Sequence, residues 1–278
     1  MPYIRSCFNK RTPLGQAIHR KMMTKFRTYM IVGGMPQAVL SYLATKDFGE
    51  VDQEKRQILS LYRSDITKFA SGYESRVNAI FAGIPTQLSR HEKKYRIASL
   101  DKNLRFRDYE DAFMWLSDAC IISPCYSAAD PNVALILSQD RNTLKCYMPD
   151  TGLLVTMALS NNMSTAHDLY KALLLDRLHI NEGMFMENIV AQMLKASGHN
   201  LFFYASYDKE DAANRMEIDF LIVRGRKICP VEVKSGPRLS HVSLDKFVAK
   251  FGKVLGEKFI LSDRDVMTKD GITFLPLY

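Results

Sequence analysis

Two acids and a lysine among apolar residues near the C-terminus are the feature that most constrains this chain. Asp219 and Glu232 stand in two apolar runs that are joined by Gly225-Arg226. A glycine at the first central position favours a two-residue hairpin turn, so we predict two antiparallel strands across it. In that register Asp219 faces Glu232. Glu217 then faces Lys234 on the same side, because side chains alternate between the two faces of a strand.

The other face of this hairpin is apolar and is expected to lie in a core. It consists of Ile218, Phe220, Ile222, Val231 and Val233. A strand pair with one apolar face and one charged face is typical of a sheet that packs on one side.

The opposed acids indicate a metal site. Directly opposed residues have Cβ atoms about 4.5–5.5 Å apart, and two carboxylates at ~5 Å repel by about 3 kcal/mol at an effective dielectric of about 20. A divalent cation between Asp219 and Glu232 would turn this repulsion into a net attraction. Mg²⁺ favours sites with one or two carboxylates, and waters and phosphate oxygens complete its coordination. We expect Mg²⁺ or Mn²⁺ and phosphodiester hydrolysis, with Lys234 assisting the water. The alternative is a solvated strand face with ordinary ion pairs.

Helix and strand signals alternate around this hairpin. We predict a helix over Gly183–Ala196 that Gly198 ends, because glycine is favoured just after a helix. Further elements are expected at 201–207 (strand), 217–223 and 228–234 (the hairpin), 244–253 (helix) and 258–261 (strand). This order is an α/β arrangement.

Upstream of this region the chain reads as mainly helical. We predict three domains: 1–75, a basic helical region; 76–160, a winged helix-turn-helix; and 161–278, the α/β domain. The winged helix would have helices at 79–88, 92–100 and 108–122 and a hairpin of Val133–Ser138 with Thr143–Tyr147. Its basic residues fit DNA contact: Lys93, Lys94, Arg96, Lys102, Arg105 and Arg107. Such modules also serve as protein-docking spacers, and that alternative stays open.

The positive charge of the chain is concentrated at its N-terminus. The net charge is +8, and residues 1–46 contain eight lysines and arginines and no acid. This segment suits either nucleic-acid phosphates or an acidic protein surface. The five cysteines include no C-x-x-C pair, which argues against a disulfide framework or a structural zinc and favours a reducing cytoplasm. No apolar run approaches the roughly 18 residues of a membrane span, so we expect no membrane partner.

The Asp219, Glu232 and Lys234 pattern resembles the PD-(D/E)XK nuclease superfamily, in which a strand Asp precedes Glu-x-Lys on the next strand. The resemblance implies an α-β-β-β-α-β fold. It also implies a further acid from the preceding helix, and Glu187 fits that position as a ligand or orienting group. The alternative is a first-turn acid that the helix dipole favours. The proline of the superfamily name is replaced by Ile218.

A longer resemblance is to the C-terminal half of a prokaryotic group of AAA-type ATPases. It is carried by short motifs: Gly33-Gly34-Met35-Pro36, Tyr62–Ile66, Trp115-Leu116, Lys145–Leu154, Phe185–Asn188 and Glu232–Lys234. It implies a winged helix followed by a nuclease-like domain. No G-x-x-x-x-G-K-[ST] motif occurs, so we expect no ATP hydrolysis by this chain. The expected function is metal-dependent DNA cleavage; the alternative is a non-catalytic regulatory or docking module of a P-loop ATPase.

Overall fold

A computed structural model describes residues 2–90, 93–95, 108–159, 166–175, 182–206, 215–236 and 240–278. The helices within these residues are α1 (Pro2–Lys10), α2 (Gln16–Val32), α3 (Pro36–Thr45), α4 (Phe48–Phe69), α5 (Glu74–Leu88), α6 (Glu110–Asp118), α7 (Thr151–Ala158), α8 (Ala166–Leu174), α9 (Gly183–Ala196) and α10 (Val242–Phe251). The strands are β1 (Ser123–Ala128), β2 (Gln139–Tyr147), β3 (Leu201–Ser206), β4 (Met216–Ile218), β5 (Phe220–Arg224), β6 (Lys227–Val233), β7 (Lys258–Ser262), β8 (Met267–Lys269) and β9 (Ile272–Pro276).

The chain forms two compact units, and neither is continuous in sequence. The first unit comprises Met1–Phe26, Cys125–Thr143 and Leu194–Tyr278. The second unit comprises Arg27–Pro124 and Leu144–Met193. The segment predicted to form the wing therefore lies largely in the first unit, whereas the helices before it lie in the second.

The first unit contains mixed sheets and confirms the predicted α/β character of the C-terminal region. One sheet has the strand order β2-β1-β3-β4 and the other β5-β6-β7-β9-β8. In the larger sheet β6, β7 and β9 are parallel, and the edge strands β5 and β8 are antiparallel to their neighbours. Helix α10 contributes Leu244 and Phe247 to a core that includes Ile218, Leu221 and Ile260.

The predicted C-terminal elements are present. Helix α9 has the predicted bounds, and Gly198 follows it with a φ of 85°, a left-handed conformation that glycine adopts without strain. The hairpin register is confirmed, since Arg224 pairs with Lys227 across the turn and Phe220 pairs with Val231.

One detail of the hairpin is different from the prediction. The first predicted strand is divided at Asp219 into β4 and β5, which belong to different sheets. Glu217 consequently pairs with Ala205 of β3 and not with Lys234. The partner strand β3 is remote in sequence, and its pairing decides where the first strand ends.

The predicted wing hairpin is wrong. Leu135–Ser138 is a 3-10 helix, and the strand of this region is β2. Side chains direct the turn locally, because Asn132 Oδ1 accepts a bond from the Ala134 amide at 2.8 Å and Ser138 Oγ donates to the Asp130 carbonyl at 2.7 Å. Such bonds compete with strand pairing. The predicted helix at 92–100 falls mostly on residues outside the described ranges.

The N-terminal helices of the second unit begin where capping residues place them. Pro36 occupies the first turn of α3, where its fixed φ and missing amide hydrogen suit a helix start. Asp47 is the N-cap of α4 and accepts a bond from the Gly49 amide at 2.6 Å. Asp52, within α4, is a buried residue whose carboxylate accepts bonds from Tyr170, Thr156 and Arg56.

Candidate metal centre

The two predicted ligand acids lie at one end of the β5–β6 ladder. Asp219 occupies the break between β4 and β5, and Glu232 is near the end of β6, an interior strand that is paired with β5 on one side and β7 on the other. Oδ2 of Asp219 accepts a hydrogen bond from the backbone amide of Val233 at 2.8 Å. The Asp219 side chain thus continues the strand pairing by one step and lies next to Glu232.

Glu232 is a buried carboxylate with too few partners. Its side chain is 1% exposed, and Oε2 lies 2.9 Å from Nζ of Lys234, the residue two positions along the strand. Within the described part of the chain, neither Oε1 nor Oε2 accepts a hydrogen bond, and Oε2 alone has the ion pair with Lys234. A buried charged group that lacks partners costs several kcal/mol, so this arrangement disfavours the ionised form.

The electrostatics of Glu232 follow from this environment. Burial raises the pKa of Glu232 to about 7, the ammonium of Lys234 opposes that rise, and the negative charge on Asp219 adds to it. The effect of Asp219 shows that the two carboxylates act on one another. A hard divalent cation next to both would remove the repulsion and satisfy Oε1, so the donor set fits such an ion.

The protein contribution to this site is two carboxylates. No group of three or more histidine, cysteine, aspartate or glutamate side chains in the described ranges is arranged to hold a metal. Mg²⁺ is commonly bound by one or two carboxylates, with waters and substrate phosphates in the remaining positions. The residues present therefore match Mg²⁺ or Mn²⁺ better than an ion that needs a full set of protein ligands.

His241 has an effect on this site that the sequence did not indicate. It precedes α10, and its electrostatic effect opposes the rise in the pKa of Glu232. Its Nδ1 lies 2.8 Å from Oδ2 of Asp245, one helical turn further along. A histidine four residues before an aspartate at the start of a predicted helix was the available signal, but its effect on Glu232 depends on how α10 packs.

Glu187, the third predicted ligand, is held within the second unit. Lys145 Nζ donates to its Oε1 at 3.0 Å, and Lys93 and Tyr147 also donate short bonds to its carboxylate. Burial alone raises the pKa of Glu187, but the ammonium groups of Lys145 and Lys93 outweigh burial and lower it below the ordinary value. Its role as a metal ligand stays a prediction, while its contacts are those of a buried ion-pair network.

Other motif residues of the second unit also bind one another. Asp150 is the N-cap of α7 and accepts bonds from the Gly34 amide at 2.6 Å and the Leu153 amide at 2.9 Å. Asn188 bonds both the amide and the carbonyl of Met148, at 2.8 and 3.1 Å. A Cβ on Gly152 would lie 2.7 Å from backbone atoms of residues 32 and 33, so the two segments touch. The motifs at residues 33–36, 145–154 and 185–188 therefore contact one another in the second unit.

The predicted nucleic-acid residues are only partly described. Lys93 pairs with Glu187, and Lys94 is half-buried. Arg96, Lys102, Arg105 and Arg107 lie outside the described residues. DNA contact by this group stays a prediction.

The start of the basic N-terminal segment is held by acids of the first unit. The amides of Leu14 and Gly15 donate to the Asp265 carboxylate at 3.0 and 2.9 Å. Arg11 forms an ion pair with Glu257 at 2.8 Å. These bonds fix the backbone of the segment, while the basic side chains of α2 before residue 26 are exposed. Among the helices that the structure describes, none is long and apolar enough to span a bilayer.

Family models match most of the chain. Residues 23–164 match a family that is described as a domain of unknown function (DUF8612). Residues 182–278, which contain the acid pair, match a second domain of unknown function (DUF4143), a domain found in C-terminal regions associated with AAA ATPases. No curated protein and no solved structure matches the chain.

Proposed function

Since the chain belongs to the family of the domain of unknown function DUF8612, whose description names no activity, we propose its function from the acid pair of the first unit. That function is binding of nucleic acid and hydrolysis of its phosphodiester bonds with Mg²⁺ or Mn²⁺. The observation that carries it is Oε1 of Glu232, a buried carboxylate oxygen without a partner, beside Asp219 and Lys234.

Each residue of the site has a distinct role in this proposal. Asp219 and Glu232 hold the cation, and a bound Mg²⁺ would supply the positive charge that a pentavalent phosphorus requires. Lys234 contacts Glu232 and has a side chain that is 28% exposed, so it can both fix the carboxylate and orient the attacking water. Glu187 is left outside the proposed site, because three donors of the second unit already engage its carboxylate.

The order of elements supports a nuclease of the PD-(D/E)XK type. Helix α9, strand β3, the β4–β5 segment, strand β6, helix α10 and strand β7 follow the α-β-β-β-α-β order of that superfamily. Asp219 and Glu232 fall at corresponding ends of adjacent strands, where such enzymes carry their acids. A winged helix and DNA as the substrate belong to the same proposal.

Calorimetric titration with Mn²⁺ tests the metal site. The wild type is expected to bind one ion, and Asp219→Asn is expected to weaken binding at least tenfold because it removes one of two charged ligands. Glu217→Gln is the matched control, since this acid is two residues away but pairs with β3. Equal Mn²⁺ affinity in the wild type and Asp219→Asn would disprove the assignment.

Cleavage assays test the reaction itself. Plasmid and branched DNA are incubated with the protein and Mg²⁺ or Mn²⁺, and products are separated on gels. Wild type is expected to cleave and Glu232→Ala to be inactive. Equal cleavage by both would show that the nuclease activity comes from elsewhere.

A second candidate function is a non-catalytic docking module of an AAA-type ATPase, with no ATPase activity in this chain. Two observations favour it. The motif residues of the second unit are used in contacts with one another, and residues 182–278 match a domain of AAA-associated C-terminal regions. Its partner would be a P-loop ATPase domain or another acidic protein surface. Reversing the charges of the exposed α2 residues Arg20, Lys21 and Lys25 would abolish capture of that partner, and metal binding would be absent.

A further inference from the structure

We propose that the outward face of helix α2 in the first unit binds the phosphate backbone of duplex DNA. This α2 face is defined by the cations Arg20, Lys21 and Lys25, with the small residues Ala17 and Thr24 between them. The inference rests on the proposed function for DNA as the ligand. It assigns nucleic-acid binding to the first unit, at residues different from those predicted between 93 and 107.

Contacts on the opposite side of α2 fix the direction in which the α2 face points. Met23 and Phe26 are buried on that opposite side. The two ring nitrogens of His19 lie 2.9 Å from the Tyr278 hydroxyl and 2.8 Å from the Asp263 carbonyl oxygen. The residues of the α2 face follow the i, i+3, i+4, i+7, i+8 spacing of one side of a helix, and all five are exposed. Their side chains therefore project into solvent from a helix that is held on its other side.

The cations of the α2 face are not paired with acids in the part of the chain that the structure describes. Lys21 and Lys25 form no hydrogen bond or ion pair there, and the guanidinium of Arg20 bonds the neutral side chain of Gln16 at 3.4 Å. Residues 1–46 contain no acid, so no neighbour along α2 supplies a counter-charge. Lys21 and Lys25 are four positions apart, and like charges at that spacing destabilise a helix. A bound anion would remove this repulsion.

The composition of the α2 face favours a phosphate backbone over the acidic protein surface of the second candidate function. Protein interfaces have an apolar core with aromatic anchors, and lysine is depleted in them. The α2 face consists of cations and small residues. Ile18, which is 42% exposed at its edge, is a single apolar side chain and cannot form the core of an interface. Phosphate contacts, in contrast, are made by lysine and arginine side chains.

The density of the cations also matches a nucleic acid. The residues from Arg20 to Lys25 span about 7.5 Å at ~1.5 Å per residue. Duplex DNA has one negative charge per ~1.7 Å of its axis, so it presents several anions to these three cations at any position along the duplex. A protein surface mixes both signs of charge and offers such a density of anions only at particular places.

Fluorescence anisotropy with a short labelled DNA duplex tests the α2 face in the full chain. EDTA is present, so binding is measured without cleavage. The double variant Lys21→Gln/Lys25→Gln is expected to weaken binding at least about tenfold at low salt. It should also reduce the slope of log Kd against log salt by about 1.8, because each lost phosphate contact removes about 0.9. Both substitutions are at exposed positions, and circular dichroism checks that the variant is folded.

The matched control is Arg5→Gln/Lys10→Gln on α1 of the same unit. These two cations are also exposed and lie in the same segment without acids. They are five positions apart, so their side chains leave the helix about 140° from each other and do not form one face. The α1 variant is expected to bind DNA as the wild type does. Equal weakening by the two double variants would overturn the inference, since it would show an effect of net charge alone.

Two further probes separate the other occupants, and cleavage separates this inference from the proposed function. Tighter binding of an RNA duplex than of DNA would overturn DNA as the occupant. Tighter binding of labelled poly-L-glutamate through Lys21 and Lys25 would overturn it in favour of an acidic protein. DNA binding that depends on these lysines without any cleavage would support the α2 face and reject only the hydrolysis. Mn²⁺ binding at the acid pair without DNA binding at low salt would reject the α2 face and leave the metal site.

Discussion

Glu232 in the first unit and Glu187 in the second are both buried, with 1% and 2% of their surface exposed, yet their pKa values move in opposite directions. The carboxylate of Glu187 has two ammonium groups and a hydroxyl as partners. Glu232 has one ammonium at one oxygen and a second acid nearby. Equal burial therefore leads to a permanently charged residue in one unit and a poorly stabilised charge in the other.

Under the proposed function, this difference separates a structural acid from a metal-binding one. A buried carboxylate whose oxygens are all engaged needs no ligand, and it is a fixed part of the packing. A buried carboxylate with an unengaged oxygen lowers stability and is retained where a ligand completes it. The sequence predicts both Glu187 and Glu232 as metal ligands. Only their hydrogen-bond and ion-pair partners in the structure distinguish the two residues.

The largest effect is expected from Glu187→Ala, which breaks the network of the second unit. Lys145 is fully buried, so the substitution leaves its charge without a partner, and the free energy of unfolding should fall by about 3–5 kcal/mol. Urea denaturation measures it. Asp65→Ala, which removes an exposed acid of the same unit, is the control and should change stability by less than about 0.5 kcal/mol. Similar effects of the two substitutions would show that Glu187 is not the structural acid of this comparison.

Local signals in the sequence predicted the hairpin and the α9 helix. Gly225 determined the turn, and the turn determined the register that brings Asp219 to Glu232. Gly198 determined the end of α9. Each of these depends on residues close in sequence, where turn and capping geometry decide the structure.

Features that depend on distant partners could not be predicted. Lys145 lies in a strand and pairs with Glu187, 42 residues later. Lys55 is also fully buried and donates to the Ile31 carbonyl at 2.8 Å, and burial lowers its pKa to about 8. Buried lysines are rare, so a sequence reading places both at the surface. The engagement of Glu187 was missed for the same reason.

The second largest effect is the pH dependence that Glu232 imparts. Its pKa of about 7 in the folded state is above the 4.5 of an unperturbed glutamate, so the folded state binds this proton more tightly than the unfolded state. The contribution of Glu232 to stability is therefore fully present below about pH 4.5 and is lost as the pH rises through 7, by about 3 kcal/mol in total.

Denaturation of the wild type and Glu232→Gln across this pH range isolates the effect. The amide cannot ionise, so the variant should lack this part of the pH dependence and be the more stable protein above pH ~7. Titrating groups remote from Glu232 contribute equally to both proteins and cancel in the difference. Mn²⁺ should restore the stability of the wild type alone. If Glu232→Gln is less stable than the wild type above neutral pH in the absence of metal, the charge of Glu232 stabilises the fold, and Glu232 is a structural acid like Glu187.

The smallest effect concerns Asp150, a buried acid that is held by backbone amides and no cation among its described bonds. Gly33 has a φ of 84°, and a Cβ at that position would lie 2.4 Å from Oδ1 of Asp150. Gly33→Ala should therefore cost about 1 kcal/mol for its conformation and a further ~1–2 kcal/mol for displacing the carboxylate from its amides. Gly198→Ala is the matched control, since its φ of 85° is nearly the same and no atom lies within 4 Å of the added Cβ. The difference between the two unfolding free energies measures what neutral donors contribute to a buried carboxylate. A difference near zero would mean that ammonium partners, as at Glu187, are what keeps a buried acid charged in this protein.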